Sequence, residues 1–428
     1  MAEKKVVLVD GCRIPFQRSG TGYRELISYD LARLALKGIL HRNSLEPEVV
    51  DSVIMGNVVQ EVTTSNVARE ALLGASFPLK TPGYTVTQAC ISANRAITNG
   101  FDMIRTGEAK VVIAGGTDTL SDFPIRFPKK FRKLLLGAKK LKGIPGILKF
   151  LFSLRPSYFF PEIPDLTEFS VGLTMGQSAD RLAARWGITR EEQDKYAYRS
   201  HQLAFEAYQN GHLPKEIYPV RVQPDFKTIE KDNTVREDTS LEKLSQLKPV
   251  FVRKYGTVTA GNSSGFTDGA SAVLLMEEEY AKSLGYTPKA IIRDYIYTGH
   301  DPLEELLLGP AYSAPLLARK AGLTFKDIQV FEFHEAFAGQ ILACLKAMDT
   351  ESFIHENLGL SQKPGEIPME KFNAWGGSLS LGHPFGATGG RLVTTAADRL
   401  IAEDGKFALV AACAAGAQSN ALLLERYV

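Results

Sequence analysis

Strand-like and helix-like stretches alternate at both ends of this 428-residue chain, and the middle breaks the alternation. Residues 6–9 read as a buried strand and 28–41 as an amphipathic helix. Residues 53–58 and 84–88 read as strands, 92–105 as a helix, and 111–114 as a buried strand running into Gly115-Gly116. The last third repeats the order. Strands are expected at 291–296, 330–333 and 407–412, helices at 313–321 and 391–401, and a glycine-rich turn at 381–390. Two regions of this kind predict a duplicated α/β fold. The halves are not alike enough in residues to establish a repeat by themselves. Residues 121 to about 248 are rich in proline and charge, with helices expected at 178–186 and 190–210. The expected division is a first half of 1–120 with 249–290, an inserted loop domain of 121–248, and a second half of 291–428.

A chain this long can bury a large core. Apolar residues make up 44% and charged residues 23%, with a formal net charge of +2. That balance suits a globular enzyme and gives no reason to expect nucleic acid as a partner. The distribution is more informative. Residues 123–161 contain no acidic residue, yet hold Lys129, Lys130, Arg132, Lys133, Lys139, Lys140 and further cations. Leu134, Leu136, Ile144, Ile147, Leu151 and Phe152 are interleaved with them. That pairing suits an anionic membrane surface or a docking face, and a plain solvated surface does not need the apolar bulk.

Four cysteines, with no C-x-x-C pair, do not make a disulfide framework in so long a chain. Free thiols in a reducing, cytoplasmic setting are the expectation. The first residues run straight into a strand, so no targeting segment is read there. No apolar run reaches the roughly 18 residues of a membrane span.

Cys90 falls between a strand and a helix. The helix N-terminus is expected to favour its thiolate, although a lone cysteine is more often a small core residue. His383 lies in Gly382-His383-Pro384-Phe385-Gly386, a stiff glycine loop suited to a base or to a histidine bonding its own loop. Cys413 ends an apolar strand and precedes Ala414-Ala415-Gly416-Ala417, where small residues leave room and exposed N–H groups for an oxyanion. A tightly packed strand end is the plainer account. His334, in His334-Glu335-Ala336-Phe337, stands where a strand meets a helix. Zinc is not expected from these spacings, since no two of the four residues are close in sequence.

Together the motifs resemble the thiolase family over nearly the whole chain. Gln88-Ala89-Cys90 with Ser92 resembles its nucleophile segment. Residues 256–264 with Thr267-Asp268-Gly269-Ala270 resemble its coenzyme A loop, and the His334, His383 and Cys413 blocks follow in the family's order. His334 stands where most of the family has asparagine, and histidine there resembles the β-subunits of trifunctional fatty-acid oxidation complexes. Ala417 departs from the family's usual glycine. The resemblance implies two βαβαβαββ-type halves in a layered α/β/α/β/α core with an inserted loop domain. It implies Cys90 as nucleophile, His383 and Cys413 as acid–base partners, His334 and His383 as donors to one oxyanion hole, and the backbone N–H groups of Cys90 and Ala415 as the other. Met175, Ala260, Ser264, Ala415 and Gly416 would contact coenzyme A, a co-substrate, with no permanently bound cofactor. The implied activity is thiolytic cleavage of 3-ketoacyl-CoA. The alternatives are acetyl-CoA condensation, a chain-extending relative, which would carry histidine for Cys413, and an inactive scaffold, which would have lost one of these groups. A homodimer or larger assembly and a hydratase/dehydrogenase partner subunit are implied as well.

Overall fold

The computed structural model describes residues 3–162 and 167–428. Two compact units divide the chain: residues 1–122 with 167–428, and Phe123–Leu166. The expected insertion is therefore split, its part from Thr167 onward belonging to the larger unit.

The larger unit is built on one mixed sheet. Its strands are β1 (Val6–Arg13), β2 (Ser52–Gly56), β3 (Gly83–Val86), β4 (Val111–Asp118), β5 (Thr267–Glu277), β6 (Ala290–Gly299), β7 (Val330–Phe333), β8 (Phe407–Ala414) and β9 (Gln418–Arg426). Their order is β7-β8-β9-β6-β1-β5-β4-β2-β3, and a short strand, Gln17–Arg18, also pairs with β5. Within this path one pattern occurs twice. β2 and β4 are parallel, and β4–β5 and β5–β1 antiparallel. β7 and β8 are parallel, and β8–β9 and β9–β6 antiparallel. The halves join where Val7 and Leu8 of β1 pair with Ile291 and Ala290 of β6. β3 is an extra strand at the first half's outer edge.

The main helices are α1 (Ser28–Arg42), α2 (Val67–Gly74), α3 (Ser92–Arg105), α4 (Met175–Arg185), α5 (Arg190–Gln209), α6 (Gly309–Lys320), α7 (Ala338–Met348) and α8 (Thr388–Ala402). Strand alternation assigns them to layers. Val53, Met55, Val111, Ile113, Leu274 and Met276 face a core shared with α1 and α2. Their neighbours Ile54, Val112, Val273 and Leu275 face a second core. Ile97 and Phe101 of α3 and Leu392 and Val393 of α8 fill that second core. It also takes Val330, Ala408, Val410 and Leu422 from the second half. The opposite set, Phe331, Phe333, Leu409 and Leu423, faces a third core with α6 and α7. The layers are thus α/β/α/β/α, with α3 and α8 in the middle.

Most elements lie within a few residues of their expected places. Two central strands, β5 and β9, have no counterpart among the expected elements. Thr267-Asp268-Gly269-Ala270 opens β5 rather than extending the coenzyme A loop. α8 begins at Thr388, inside the expected turn. Gly389 and Gly390 stay in this helix because a Cβ there would overlap Asn94 and Ser271, so glycine here serves close packing.

The smaller unit is a pair of helices, Lys129–Ala138 and Gly143–Ser153, and a short turn, Pro156–Phe159. Phe131 is buried among Phe127, Tyr158 and Phe159, with ring centroids 5.1–5.6 Å away. Leu136, Ile144, Ile147, Leu151 and Phe152 are left exposed.

Candidate active site

Cys90, His334 and Cys413 sit where strands end, and His383 follows the short helix Ser378–Leu381. Cys90 lies on the turn between β3 and α3, with Ile91 capping the helix. Ala89 holds φ at 44°, a left-handed conformation that costs a residue with a Cβ about 1–2 kcal/mol. The Ser92 hydroxyl offsets this by accepting from the Gln88 N–H (2.8 Å) and donating to the Ala89 carbonyl (2.7 Å). Gln88-Ala89-Cys90 with Ser92 is thus a pinned turn that fixes the thiol. Cys90 alone of the four cysteines keeps some exposure.

The expected helix effect on Cys90 is outweighed. Burial of the sulfur pushes its pKa up to about 12, and the N–H groups of Ala415 and of Cys90 itself oppose this only in part. The resting group is a thiol and needs a base.

His334 follows β7, and its N–H donates to the Ala411 carbonyl of β8 (2.8 Å). His383 follows Gly382, whose φ of 89° demands glycine. The two imidazoles are tilted 40° to each other with centroids 4.0 Å apart, and donor atoms of Cys90, His334 and His383 all lie within 4.8 Å of one another. Both Nε2 atoms are buried and have no hydrogen-bond partner among the described residues, so they are free for a reacting group.

The other ring nitrogens distinguish the two histidines. Thr388 Oγ1 donates to the Pro384 carbonyl (3.1 Å) and so accepts from His383 Nδ1 (2.6 Å). His383 Nε2 is then a lone pair, suited to a base. Arg391 Nη2 donates to Ser378 Oγ (2.9 Å), and the Ser378 proton is directed at its other partner, His334 Nδ1 (2.9 Å). His334 Nε2 then carries the proton and can donate. Burial, and after it the Arg391 charge, holds His383 down to about 3. Burial, His383 and Arg391 together hold His334 well below its usual value. Both rings are neutral.

Cys413 ends β8 and is buried, its thiol pushed up by burial and then by nearby Cys90. Residues 415–417 make the turn into β9. Gly416 and Ala417 have φ of 81° and 53°. The Gly416 N–H donates to Glu168 Oε2 (2.6 Å), and the Ala417 carbonyl accepts from the His300 N–H (3.0 Å). This holds the Ala415 N–H toward the Cys90 sulfur.

The 256–264 loop docks beside the His334 segment. The Ser264 N–H donates to the Ala336 carbonyl (3.0 Å), and Asn262 Oδ1 accepts from the Thr259 N–H (2.7 Å). Ala260 is exposed, Ser264 half-buried, and half-buried Met175 opens α4.

Comparison with known proteins decides the family. The thiolase N-terminal domain model matches residues 6–279 and the thiolase C-terminal domain model residues 286–426. The chain belongs to the thiolase family. It is 55% identical to the mitochondrial trifunctional enzyme subunit beta of Macaca fascicularis, over 99% of this chain and 89% of that one. A probable 3-ketoacyl-CoA thiolase of Caenorhabditis elegans is 52% identical over 99% and 94%. The crystal structure of human mitochondrial 3-ketoacyl-CoA thiolase in complex with CoA has a TM-score of 0.84 at 33% identity, covering 99% and 98%.

Several groups that organise this thiolase's site carry no sequence signal. Asp118, at the end of β4, accepts from Asn57 Nδ2 (2.9 Å), from the N–H of Val59 (2.8 Å) and from that of Gly386 in the His383 loop. A Cβ on Gly116 would overlap the Gly386 carbonyl. Glu335 accepts from Tyr196, Ser200 and Asn373 and fixes the strand end beside His334. Ser378 and Glu168 likewise act through contacts remote in sequence. Cys90, His334 and His383, far apart in sequence, are brought together in the fold.

Proposed function

We propose that this thiolase cleaves 3-ketoacyl-CoA with free coenzyme A, giving acetyl-CoA and a shortened acyl-CoA in fatty-acid oxidation. One observation carries the reading: the thiol of a partly exposed cysteine faces two neutral imidazoles whose hydroxyl partners set opposite tautomers. His383 Nε2 takes the Cys90 proton, and the thiolate attacks the 3-keto carbon. The C2–C3 bond breaks, and Cys413 protonates the departing acetyl-CoA carbanion. The Cys413 thiolate then takes the proton of incoming coenzyme A, which attacks the acyl group. Cys90 leaves as thiolate and recovers its proton from His383. His334 Nε2–H stabilises the thioester enolate, and the Cys90 and Ala415 N–H groups stabilise the tetrahedral oxyanions. Met175, Ala260, Ser264 and Gly416 are assigned to coenzyme A contact. Intact-protein mass spectrometry with a ketoacyl-CoA should reveal one acyl adduct, absent together with thiolysis in Cys90→Ala. An adduct on that variant would overturn the nucleophile.

The identity to trifunctional β-subunits supports a partner subunit carrying hydratase and dehydrogenase activities. The position of β3 at the sheet edge supports pairing with a second copy. The small unit's cations and exposed apolar side chains support contact with that partner or with an anionic bilayer. No helix among the described residues is long and apolar enough to cross a membrane. Four free cysteines support a reducing compartment. Co-sedimentation with anionic liposomes, with and without residues 129–152, tests the bilayer version.

A further inference from the structure

We propose that Cys90, His334 and His383 form a three-ligand site for a soft divalent cation, with Zn²⁺ as its natural probe, and that its occupancy switches the enzyme off. The inference rests on the thiolase reading for its effect on activity, but not for binding. Around a tetrahedral zinc, nitrogen at about 2.0–2.1 Å and sulfur at about 2.3 Å leave donors about 3.3–3.6 Å apart. Donor atoms of the three residues already lie within 4.8 Å of one another. Closing the set needs a shift of at most about 1.5 Å, within the reach of small side-chain rotations.

The surroundings match those of a metal site in two further ways. Ligating histidines bind through one nitrogen while the other is held by an outer partner, which fixes the ring. Here each Nδ1 is held, by Thr388 Oγ1 (2.6 Å) and by Ser378 Oγ (2.9 Å), and each Nε2 is buried with no partner among the described residues. Ser378 has a second oxygen lone pair, so it can accept from His334 Nδ1 while keeping the Arg391 bond, which frees Nε2 to ligate. The donor set is one thiol and two imidazoles, a combination zinc favours over magnesium and calcium. Three protein ligands leave a fourth position on the exposed side of Cys90, for water. On binding, the Cys90 S–H bond is exchanged for a sulfur–metal bond and the proton passes to solvent. No redox change is involved. The occupied site has neither a nucleophile nor a free base, so inhibition is complete and reversed by a chelator.

The experiment uses full-length protein treated with a chelator and then freed of it. Competition between the protein and a chromophoric chelator for Zn²⁺ should give one site per chain. Cys90→Ala, His334→Ala and His383→Ala should each weaken it by more than about 100-fold, beyond the 10–100-fold typical of losing an outer partner. Ser378→Ala should fall within that smaller range. Cys12→Ala, which alters a buried cysteine of the outer core, should leave binding unchanged. Co²⁺ should give a thiolate-to-metal charge-transfer band in the unaltered protein and none in Cys90→Ala. Equal zinc affinity in Cys90→Ala and unaltered protein, or no thiolate band with Co²⁺, overturns the proposal. Cys90→Ser serves the same purpose if the alanine variant does not fold. These measurements need no substrate, so a failed thiolase reading, seen as no acyl adduct on Cys90, is distinguishable from a failed metal site.

Discussion

The two halves share one strand pattern but use its ends differently. In the first half, β2 leads to Asn57 and β4 ends at Asp118. In the second, the equivalent β7 leads to His334 and β8 ends in Cys413-Ala414. Asn57 and Asp118 bond to each other and to backbone, including Gly386 across the halves. His334 and Cys413 leave their reactive atoms toward Cys90. A strand end is a place where a side chain can be aimed; whether it does chemistry depends on whether its atoms are already used. The first half thus supplies the nucleophile and the anchors, and the second supplies the proton-handling groups.

Removing a proton-handling group should have the largest effect. Cys413→Ala should still acylate slowly at Cys90, because one acid–base group contributes about 10²–10⁴-fold. Full turnover should fall further, since Cys413 acts in both half-reactions. Single-turnover acylation followed by thiolysis separates the steps. Unchanged turnover would return Cys413 to the structural role that Asp118 has in the first half.

His334 comes next. His334→Ala should lower the rate by about 10²–10³ with the fold intact. His334→Asn should be milder, since an amide also donates. Equal damage from both would mean that donation from Nε2 is not what His334 contributes, and would undo the tautomer assignment through Ser378.

Asp118→Asn tests the anchoring side. An amide can still accept from the Asn57 side chain, but its NH₂ would face a backbone N–H that now has an acceptor. Loss of one such buried partner costs about 1–3 kcal/mol. Turnover should fall about tenfold through displacement of the His383 loop, since small misplacements near reacting atoms are expensive in rate. A loss as large as that of Cys413→Ala would make Asp118 a participant in the chemistry and erase the distinction between the halves.

What the sequence disclosed follows the same line. Cys90, His334, His383 and Cys413 could be singled out because each sits in a local motif, and Ser92 belongs to one too. Helix α3 was legible to the residue at both ends, since its apolar face is amphipathic. β5 was not, because both its faces are buried and its apolar run has no alternation to read. Asp118, Ser378 and Glu168 were invisible for another reason. Each is an ordinary polar residue whose partner is far away in sequence: Gly386, His334 and Gly416. The Cys90 expectation failed because dipole arguments are local, whereas the burial that overrides them comes from both halves.

The smallest expected effect concerns Ala417. Its φ of 53° puts a Cβ-bearing residue in the left-handed region, at a cost of about 1–2 kcal/mol. Replacing it by glycine removes that cost. The same change loses a fully buried methyl, worth about 0.8 kcal/mol, and frees the unfolded chain by about 0.4–1 kcal/mol. These terms nearly cancel, so Ala417→Gly should shift stability by less than about 1 kcal/mol in denaturant unfolding. Activity should also stay close to that of the unaltered enzyme. The hydrogen bonds from Gly416 to Glu168 and from His300 to the Ala417 carbonyl hold the turn whichever residue stands there. A large loss of thiolysis in Ala417→Gly would mean that the methyl, and not these two bonds, keeps the Ala415 N–H aimed at Cys90. The second half's turn would then depend on packing in the way the first half's Ala89 turn depends on Ser92.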